Sequence, residues 1–355
     1  MNPLKLAVVG VGALGRHHAR ILGGLESADL VGVAEMNLEA GRAVASACGC
    51  DHVTDFHELL DRVDAVTIAV PTSAHLAVAG DCLAAGLPVM IEKPIAGSLD
   101  DAARLVELAD RHDALLQVGH VERFNPAVTA AFERIDRPRY LRAERFSPFA
   151  FRSMDIGVVH DLMIHDLDLV LALVNSPLEE VSAFGIGLMG GHEDMVNARL
   201  RFANGCIADL IASRVHPEPR RSLVAWSASG CVQVDLHSRE LTSYCPSEAL
   251  LLGKSPTQQA NEPGADIEEL KQQVFGEFIQ VDTPDISDAD ALTAELEHFI
   301  DCVTTGKPPL VGGLEAIRAM AAADQVLSSV ATHQWEGRPN GAQGPLACRP
   351  QRRAA

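Results

Sequence analysis

A glycine-rich turn near the start of the chain constrains the fold most strongly. The apolar run over residues 6–9 is typical of a buried parallel strand. It leads into Gly10-Val-Gly12-Ala-Leu-Gly15, and residues 16–25 then favour a helix. In such a unit the first glycine permits the tight turn, the second lets the backbone approach a pyrophosphate, and the third brings the helix close to the strand. The helix N-terminus offers N–H groups to the phosphates. The pattern therefore predicts a dinucleotide site.

The end of the next apolar run indicates which dinucleotide is bound. Residues 29–34 predict a second strand, and Glu35 follows it at the usual spacing for a carboxylate that holds an adenosine ribose. A 2′-phosphate would be repelled there, and residues 36–38 supply no cation, so we expect NAD as the cofactor. The residues expected to bind it are Gly10, Gly12, Ala13, Leu14, Gly15, Glu35, Val70, Pro71, Thr72, His75, Glu92, Lys93 and Pro94.

Length, charge and cysteine usage bound the class of protein. A chain of 355 residues is too long for one typical core, so two domains are expected. The net charge of −19 argues against partners that attract basic patches, namely nucleic acid and anionic membranes. No signal-peptide pattern or membrane-spanning apolar run is evident, and the eight cysteines are scattered. We expect reduced cysteines in a cytoplasmic protein.

The order of predicted elements indicates an α/β fold. Residues 1–120 alternate strand and helix through six strands, which predicts an N-terminal Rossmann domain with a doubly wound parallel sheet. Residues 121–335 predict a C-terminal α+β domain with a mostly antiparallel sheet, because Asn204-Gly205 and Ser229-Gly230 are hairpin signals. The tail over residues 336–355 is rich in Gly, Pro, Gln and Arg and is expected to be disordered.

Lys93 is the first candidate for chemistry. Glu92-Lys93-Pro94 follows an apolar strand and should lie at the carboxyl edge of the sheet, where doubly wound folds bind ligands. A solvated surface lysine is the simpler reading, since most lysines are exposed. Its place near the expected nicotinamide favours a catalytic role.

A helix predicted over residues 157–174 carries the second candidate pair. Asp161 and His165 are four residues apart and share a helix face, so the carboxylate can orient the imidazole as a general base. A metal site that also uses His160 is the rival reading. On a regular α-helix His160 and His165 point in different directions, which disfavours metal, and none is predicted.

Glu122-Arg123-Phe-Asn125 forms the third candidate, just after the sixth strand. Arg123 and Asn125 could contact a ligand, or Arg123 could pair with Glu122 and pack at a domain hinge.

These motifs together resemble a known family. Gly10-x-Gly12-x-x-Gly15-x-x-His18, Glu92-Lys93-Pro94 and Asp161-x-x-x-His165 are similar to the glucose-fructose oxidoreductase / inositol dehydrogenase / rhizopine catabolism (Gfo/Idh/MocA) oxidoreductases over about residues 3–335. The resemblance implies hydride transfer between a sugar or cyclitol carbon and a nicotinamide. It also implies a large open sheet that often serves oligomerisation, here a homodimer or homotetramer. Lys93 and His165 would flank the reacting hydroxyl, with Asp161 orienting or relaying. Met163 stands where the family often has Gly.

A subgroup of the family matches more fully. Residues 118–126 and 161–168 resemble the UDP-N-acetylglucosamine 3-dehydrogenases, whose 3-keto product a separate PLP aminotransferase aminates for diamino sugars of lipid A, in lipopolysaccharide, or of surface glycans. A dehydrogenase of a free sugar or cyclitol remains an alternative. A non-enzymatic dinucleotide-sensing regulator is a more distant one, because a sensor has no need of Lys93, Asp161 and His165 together.

A diphosphate substrate needs local cations in so acidic a chain. Arg214, Arg220 and Arg221 lie at one strand end and the loop after it, where Pro217 and Pro219 restrict the backbone. Pairing of these arginines with nearby acids, or a subunit contact, is the alternative. The residues expected to bind substrate are Lys93, Arg123, Asn125, Asp161, His165, Arg214, Arg220 and Arg221.

Overall fold

The first sheet is the one expected from the alternating elements. The computed structural model describes residues 2–151, 156–337 and 340–347. The strands of the first sheet are Leu4–Val9 (β1), Ala28–Ala34 (β2), Asp51–Val53 (β3), Ala65–Ile68 (β4), Val89–Glu92 (β5) and Leu116–Gly119 (β6). The helices between them are Gly15–Leu22 (α1), Leu38–Cys48 (α2), His57–Leu60 (α3), His75–Ala84 (α4) and Leu99–Arg111 (α5).

All six strands are parallel, in the order β3-β2-β1-β4-β5-β6. Most of their side chains are apolar and buried, as expected for a parallel sheet that helices cover on both sides. The strand order reverses between β1 and β4, which places the turns after these strands at the ligand-binding edge. Asn37 caps α2 by accepting from the backbone N–H groups of Glu39 and Ala40.

The second sheet lies further along the chain. Its strands before the last helices are Tyr140–Phe146 (β7), Leu178–Gly187 (β8), Met195–Phe202 (β9), Ile207–Ser213 (β10), Arg220–Ser227 (β11), Gly230–Asp235 (β12), Glu240–Pro246 (β13) and Ile279–Asp282 (β14). The helices in this region are Pro126–Arg134 (α6), Ile164–Val174 (α7), Glu248–Leu252 (α8), Pro256–Ala260 (α9) and Ile267–Gln273 (α10), and a π-helical turn, Val159–Met163, directly precedes α7.

Two long helices and a short strand complete the fold: Ala291–Thr305 (α11), Gly313–Thr332 (α12) and Leu346–Ala347 (β15). The nine-stranded sheet has the order β14-β13-β12-β11-β7-β10-β9-β8-β15. Its pairs are antiparallel except β7 with β10 and β8 with β15. Gly205 and Gly230 lie at the predicted hairpin turns, with φ of 82° and 129°. The predicted α/β fold class is confirmed.

The tail differs from the prediction. The sequence predicts disorder from residue 336, but Leu346 and Ala347 pair with β8. Trp335 explains the difference, because its Nε1–H donates to the Gly344 oxygen at 2.8 Å and its ring meets Phe184 edge to face. The contacts of this one aromatic side chain therefore hold a segment for which the polar composition predicted disorder. Residues 338–339 and 348–355 lie outside the described residues.

The chain forms two compact units. The first comprises the residues up to Phe124 together with Ala289–Ala321, and the second comprises Asn125–Asp288 and the residues from Ala322 onward. The first unit therefore takes up a segment from late in the chain, which the predicted division at residue 120 did not include. Compactness alone does not define an independently folding domain, so that boundary stays a prediction. Within the described ranges no helix is both long and apolar enough to cross a membrane.

Candidate active site

The glycine turn after β1 has no room for side chains at two positions. A Cβ on Gly10, where φ is +84°, would lie 2.9 Å from the Ala69 backbone, and one on Gly15 would overlap the carbonyl oxygen of Gly10. At Gly12 a Cβ would meet nothing within 4 Å. Gly10 and Gly15 thus pack closely against neighbouring backbone, whereas the space beside Gly12 is open. A turn that binds a ligand requires this arrangement.

The N-terminus of α1 is suited to an anion. Leu14 occupies the N-cap position, and no side chain caps the helix. The Arg16 and His17 N–H groups donate to the Gly12 and Leu14 oxygens, at 3.4 and 2.8 Å, so the helix start offers a phosphate chiefly the positive end of the helix dipole. The turn and the helix start together fit the pyrophosphate of a dinucleotide.

Glu35 lies beside this turn at the end of β2. One carboxylate oxygen accepts from the Val11 N–H at 3.0 Å, and the other accepts from the Asn37 N–H at 2.9 Å. Two backbone donors hold the carboxylate in place while the residue stays partly exposed. A carboxylate held in this position can accept hydrogen bonds from ribose hydroxyls.

Lys93 follows the last residue of β5 and so lies at the carboxyl edge of the parallel sheet. The neighbouring Glu92 is 8% exposed, and its carboxylate lies 3.0 Å from Nε2 of the fully buried His18. This contact ties β5 to α1 directly before the lysine. His18 stood in the sequence motif, but its partner was not predicted.

His75 links the turn after β4 to the segment after β5. Its ring is 1% exposed, with Nε2 3.0 Å from the Val70 oxygen and Nδ1 2.9 Å from the Pro94 oxygen. Burial lowers the pKa of His75, although these carbonyl groups favour its protonated form. Both ring nitrogens face backbone groups, which favours a role in holding the two loops. The expected contacts of Val70, Pro71, Thr72 and His75 with the cofactor stay predictions.

Asp161 and His165 lie on the predicted helix, but the helix is not a regular α-helix. Asp161 belongs to the π-helical turn Val159–Met163, and His165 belongs to the first turn of α7. A π turn bonds i to i+5, is wider than an α turn, and is frequently found at functional sites. The prediction of a uniform α-helix over residues 157–174 was therefore wrong at its start, and sequence periodicity gave no signal for the wider turn.

The π turn also weakens the geometric argument against a metal, which assumed α-helical spacing between His160 and His165. Other observations bear on this question instead. His160 Nε2 lies 3.7 Å from Asp324 of α12. Among the described residues, no group of three or more His, Cys, Asp or Glu side chains is arranged to hold a metal ion.

A buried ion pair anchors the helix next to His165. Asp166 is 4% exposed and accepts from Arg145 of β7 through Nε and Nη2, at 3.1 and 2.8 Å. Such a bidentate pair fixes orientation as well as distance. Arg145 was not among the predicted site residues.

Arg123 and Asn125 differ in the roles they can play. Arg123 lies on a 3₁₀ turn, Val121–Phe124, after β6. Asn125 is 5% exposed and caps α6, with its Oδ1 accepting from the Ala127 N–H and its amide donating to the Leu236 oxygen. These contacts favour a structural role for Asn125, while its contact with substrate stays a prediction.

The three predicted phosphate-binding arginines are not equivalent. Arg214 is 5% exposed, and its guanidinium donates to Asp194 and to the Ile156 oxygen. Arg220 is largely exposed and lies 3.3 Å from the Glu144 carboxylate, and Arg221 is exposed beside it. Burial and pairing favour an internal role for Arg214, whereas the other two remain accessible to a ligand.

Comparison with known proteins identifies the family. Residues 4–120 match the model of the oxidoreductase family with an NAD-binding Rossmann fold, and residues 128–232 match the GFO/IDH/MocA C-terminal domain. A UDP-N-acetylglucosamine 3-dehydrogenase of Acidithiobacillus ferrooxidans is 34% identical over 93% of this chain and 98% of its own. The chain belongs to the Gfo/Idh/MocA oxidoreductase family. The predicted family and its cofactor, NAD, are confirmed.

Solved structures and further relatives are similar to the chain as well. The solved structure of the A. ferrooxidans enzyme has a TM-score of 0.81 over 93% of this chain and 98% of that one. A scyllo-inositol 2-dehydrogenase (NAD(+)) of Bacillus subtilis is 27% identical over 89% of this chain and 90% of its own. Levoglucosan dehydrogenase in complex with NADH and levoglucosan is 17% identical with a TM-score of 0.76, covering 92% of this chain and 97% of its own, which shows a shared fold.

Proposed function

We propose that this oxidoreductase uses NAD to oxidise the 3-hydroxyl of UDP-N-acetylglucosamine to the 3-keto sugar nucleotide. The observation that carries the proposal is the full-length similarity to the A. ferrooxidans enzyme, which covers both compact units. The inositol dehydrogenases that also match are less similar over the full length or cover a smaller part of the chain. The exposed Arg220 and Arg221 add cations suited to a diphosphate, in a chain of net charge −19.

The residue roles belong to the same proposal. When bound, NAD supplies the acceptor for the hydride that leaves carbon 3. His165 accepts the proton of the 3-hydroxyl as the carbonyl forms, and Asp161 orients its imidazole. Lys93 stabilises the developing negative charge on the oxygen. Arg220 and Arg221 bind the diphosphate, whose binding energy helps to orient the distant reacting carbon.

The wider setting is also proposed. A 3-keto sugar nucleotide is a substrate for amination, so an aminotransferase for diamino sugar synthesis, in lipid A or a surface glycan, fits as the next enzyme. The predicted homo-oligomer and cytoplasmic location belong to this proposal as well.

A side-by-side NADH assay tests the substrate. UDP-N-acetylglucosamine should be oxidised fastest, and free N-acetylglucosamine should react far more slowly because it lacks the nucleotide. Proton NMR of the product should show loss of the hydrogen at carbon 3. Faster oxidation of myo-inositol, scyllo-inositol or glucose would instead support the free sugar or cyclitol alternative. NAD binding without turnover of any of these compounds would favour a sensor.

A further inference from the structure

The chain that enters the helix of Asp161 and His165 is held by a dipeptide from a different part of the second unit. Glu193 and Asp194 lie in the loop between β8 and β9. The Val158 N–H donates to the backbone oxygen of Glu193 at 3.0 Å, and the Val159 N–H donates to its carboxylate at 3.3 Å. Glu193 is 6% exposed and both valines are fully buried, so solvent does not compete for these bonds.

Gly157 makes this contact possible. A Cβ built on Gly157 would overlap the Glu193 carboxylate, so the carboxylate lies directly against the glycine Cα. The φ angle of Gly157 is not in the left-handed region, so the backbone conformation does not itself require glycine. Space for the carboxylate is therefore the reason for a glycine immediately before this helix.

Arg214 holds the same segment one residue earlier. Its Nη1 donates to the Ile156 oxygen at 2.7 Å, and its Nε donates to Asp194 at 2.8 Å. Asp194 is fully buried and also accepts from the Leu188 and Met189 N–H groups at 2.6 and 2.7 Å. Hydrogen bonds thus hold residues 156–159 in place, directly from Glu193 and indirectly from Asp194 through Arg214.

The hydrogen bonds to residues 156–159 lie at the start of the helix that carries Asp161 and His165, so they bear on the active site. The first N–H groups of a helix have no partner within the helix, and a carboxylate there satisfies them and complements the helix dipole. Asp161 lies two residues beyond Val159, and its own N–H donates to the Gly157 oxygen at 3.0 Å. A shift of the helix start therefore moves Asp161 and, through the π turn, the orientation of His165.

We propose that Glu193 is a positioning residue for the dehydrogenase reaction: its carboxylate, seated against Gly157, sets the start of the π turn and thereby the placement of Asp161 and His165. This inference rests on the proposed function for its kinetic test. It predicts that the geometry of the reacting groups, and not cofactor binding, depends on the carboxylate. An error of about 1 Å in such placement can cost about 100-fold in rate.

Substitution of Glu193 separates positioning from folding. Glu193→Ala should lower kcat with UDP-N-acetylglucosamine about 10- to 100-fold while the KM for NAD stays within about twofold. Glu193→Gln keeps an oxygen that can accept from the Val159 N–H, so it should recover kcat to within about threefold of wild type. The exposed Glu133 of α6 provides the control, and Glu133→Ala should have no effect. Equal loss in the Gln and Ala variants, or a normal kcat in both, would overturn the proposal.

A second pair of variants tests the contact with Gly157. Gly157→Ala should reduce kcat as much as Glu193→Ala does, because the new methyl group displaces the carboxylate. In the Glu193→Ala background the same change should cost nothing further, since the obstructing carboxylate is gone. Gly24→Ala is the matched control, as a Cβ there meets only ordinary contacts at 3.5 Å. Additive losses from Gly157→Ala and Glu193→Ala would contradict the proposal.

Amide hydrogen exchange keeps the inference independent of the substrate assignment. Wild-type protein that oxidises no UDP-sugar would refute the proposed function alone. Glu193→Ala should still speed exchange at residues 159–165 at least tenfold, whereas Glu193→Gln should not. Unchanged exchange in Glu193→Ala would refute the positioning role. If Glu193→Ala does not fold, the same comparison of amide exchange can be made between Gly157→Ala, which should speed exchange, and Glu193→Gln, which should not.

Discussion

The glycine turn of the first unit and the helix start of the second are both suited to functional roles, but they are held differently. Gly10, Gly12 and Gly15 lie within six residues, and the contacts that demand glycine come from the Gly10 oxygen and from Ala69 and Val70, directly after β4. Residues 156–159 are held by Glu193, Asp194 and Arg214, and the bond from Arg214 to Ile156 spans 58 positions. The first site can be recognised from the spacing of three glycines in one short stretch, whereas the second depends on side chains from a loop to which no local pattern points.

The largest expected effect tests the side-chain site. His165→Ala and Lys93→Ala should each lower kcat about 10²- to 10⁴-fold, because a positioned acid–base group contributes that much, while NAD still binds. Stopped-flow NADH formation measures the effect, and His160→Ala is the control on the same helix. A loss of kcat in His160→Ala as large as that in His165→Ala would support the alternative interpretation of this helix as a metal site.

Loss of the buried pair should destabilise the second unit strongly. Burial raises the pKa of Asp194, but the hydrogen bonds from Met189, Arg214 and Leu188 together outweigh it, so this pKa is lowered and the group is charged at neutral pH. Arg214→Ala leaves that charge buried and should reduce the free energy of unfolding by about 3–5 kcal/mol. Arg199→Ala breaks an exposed pair with Asp209 and should cost at most about 1 kcal/mol. Denaturant titrations measure both variants. Equal losses of unfolding free energy in Arg214→Ala and Arg199→Ala would contradict the distinction between a buried and an exposed pair.

A single methyl group added to the glycine turn should weaken NAD binding. Gly15→Ala forces the turn away from the Gly10 oxygen and should raise the Kd for NAD at least about tenfold, the equivalent of ~1.4 kcal/mol. NADH fluorescence titration measures this change, and Gly24→Ala should leave the Kd unchanged. Tight NAD binding by Gly15→Ala would show that the turn adapts more readily than its packing implies.

Glu35 should control the choice between NAD and NADP. Two unit charges about 4 Å apart repel by roughly 4 kcal/mol at an effective dielectric of about 20, so NAD should be preferred by at least about tenfold. Glu35→Ala should reduce that preference, whereas Glu39→Ala, in the exposed first turn of α2, should not. Wild-type protein that binds NADPH as tightly as NADH would contradict this assignment.

The smallest effect concerns the exposed arginines. Replacement of both Arg220 and Arg221 by Gln should raise the KM for UDP-N-acetylglucosamine roughly fivefold, because exposed charge contacts contribute only about 1 kcal/mol. The KM for NAD should not change. A KM that stays at the wild-type value would assign these arginines to surface pairing alone.

Several features could be predicted because their causes are local. The spacing of Gly10, Gly12 and Gly15 between an apolar strand and a helix permits few other structures. Glu35 could be placed because a strand of known rise carries it to the edge of the sheet. The alternation of apolar runs and helix signals likewise specified the α/β class, which needs no knowledge of distant contacts.

Other features were decided only by the tertiary structure. The π turn, the tail strand β15 and the burial of Arg214 all depend on partners far along the chain: Glu193, Trp335 with Phe184, and Asp194. A buried N–H or guanidinium must find an acceptor, but the sequence does not state which segment supplies it. Periodicity therefore predicted an ordinary helix before His165, and the place of Arg214 at a predicted strand end suggested a phosphate-binding role, because neither signal includes the loop between β8 and β9.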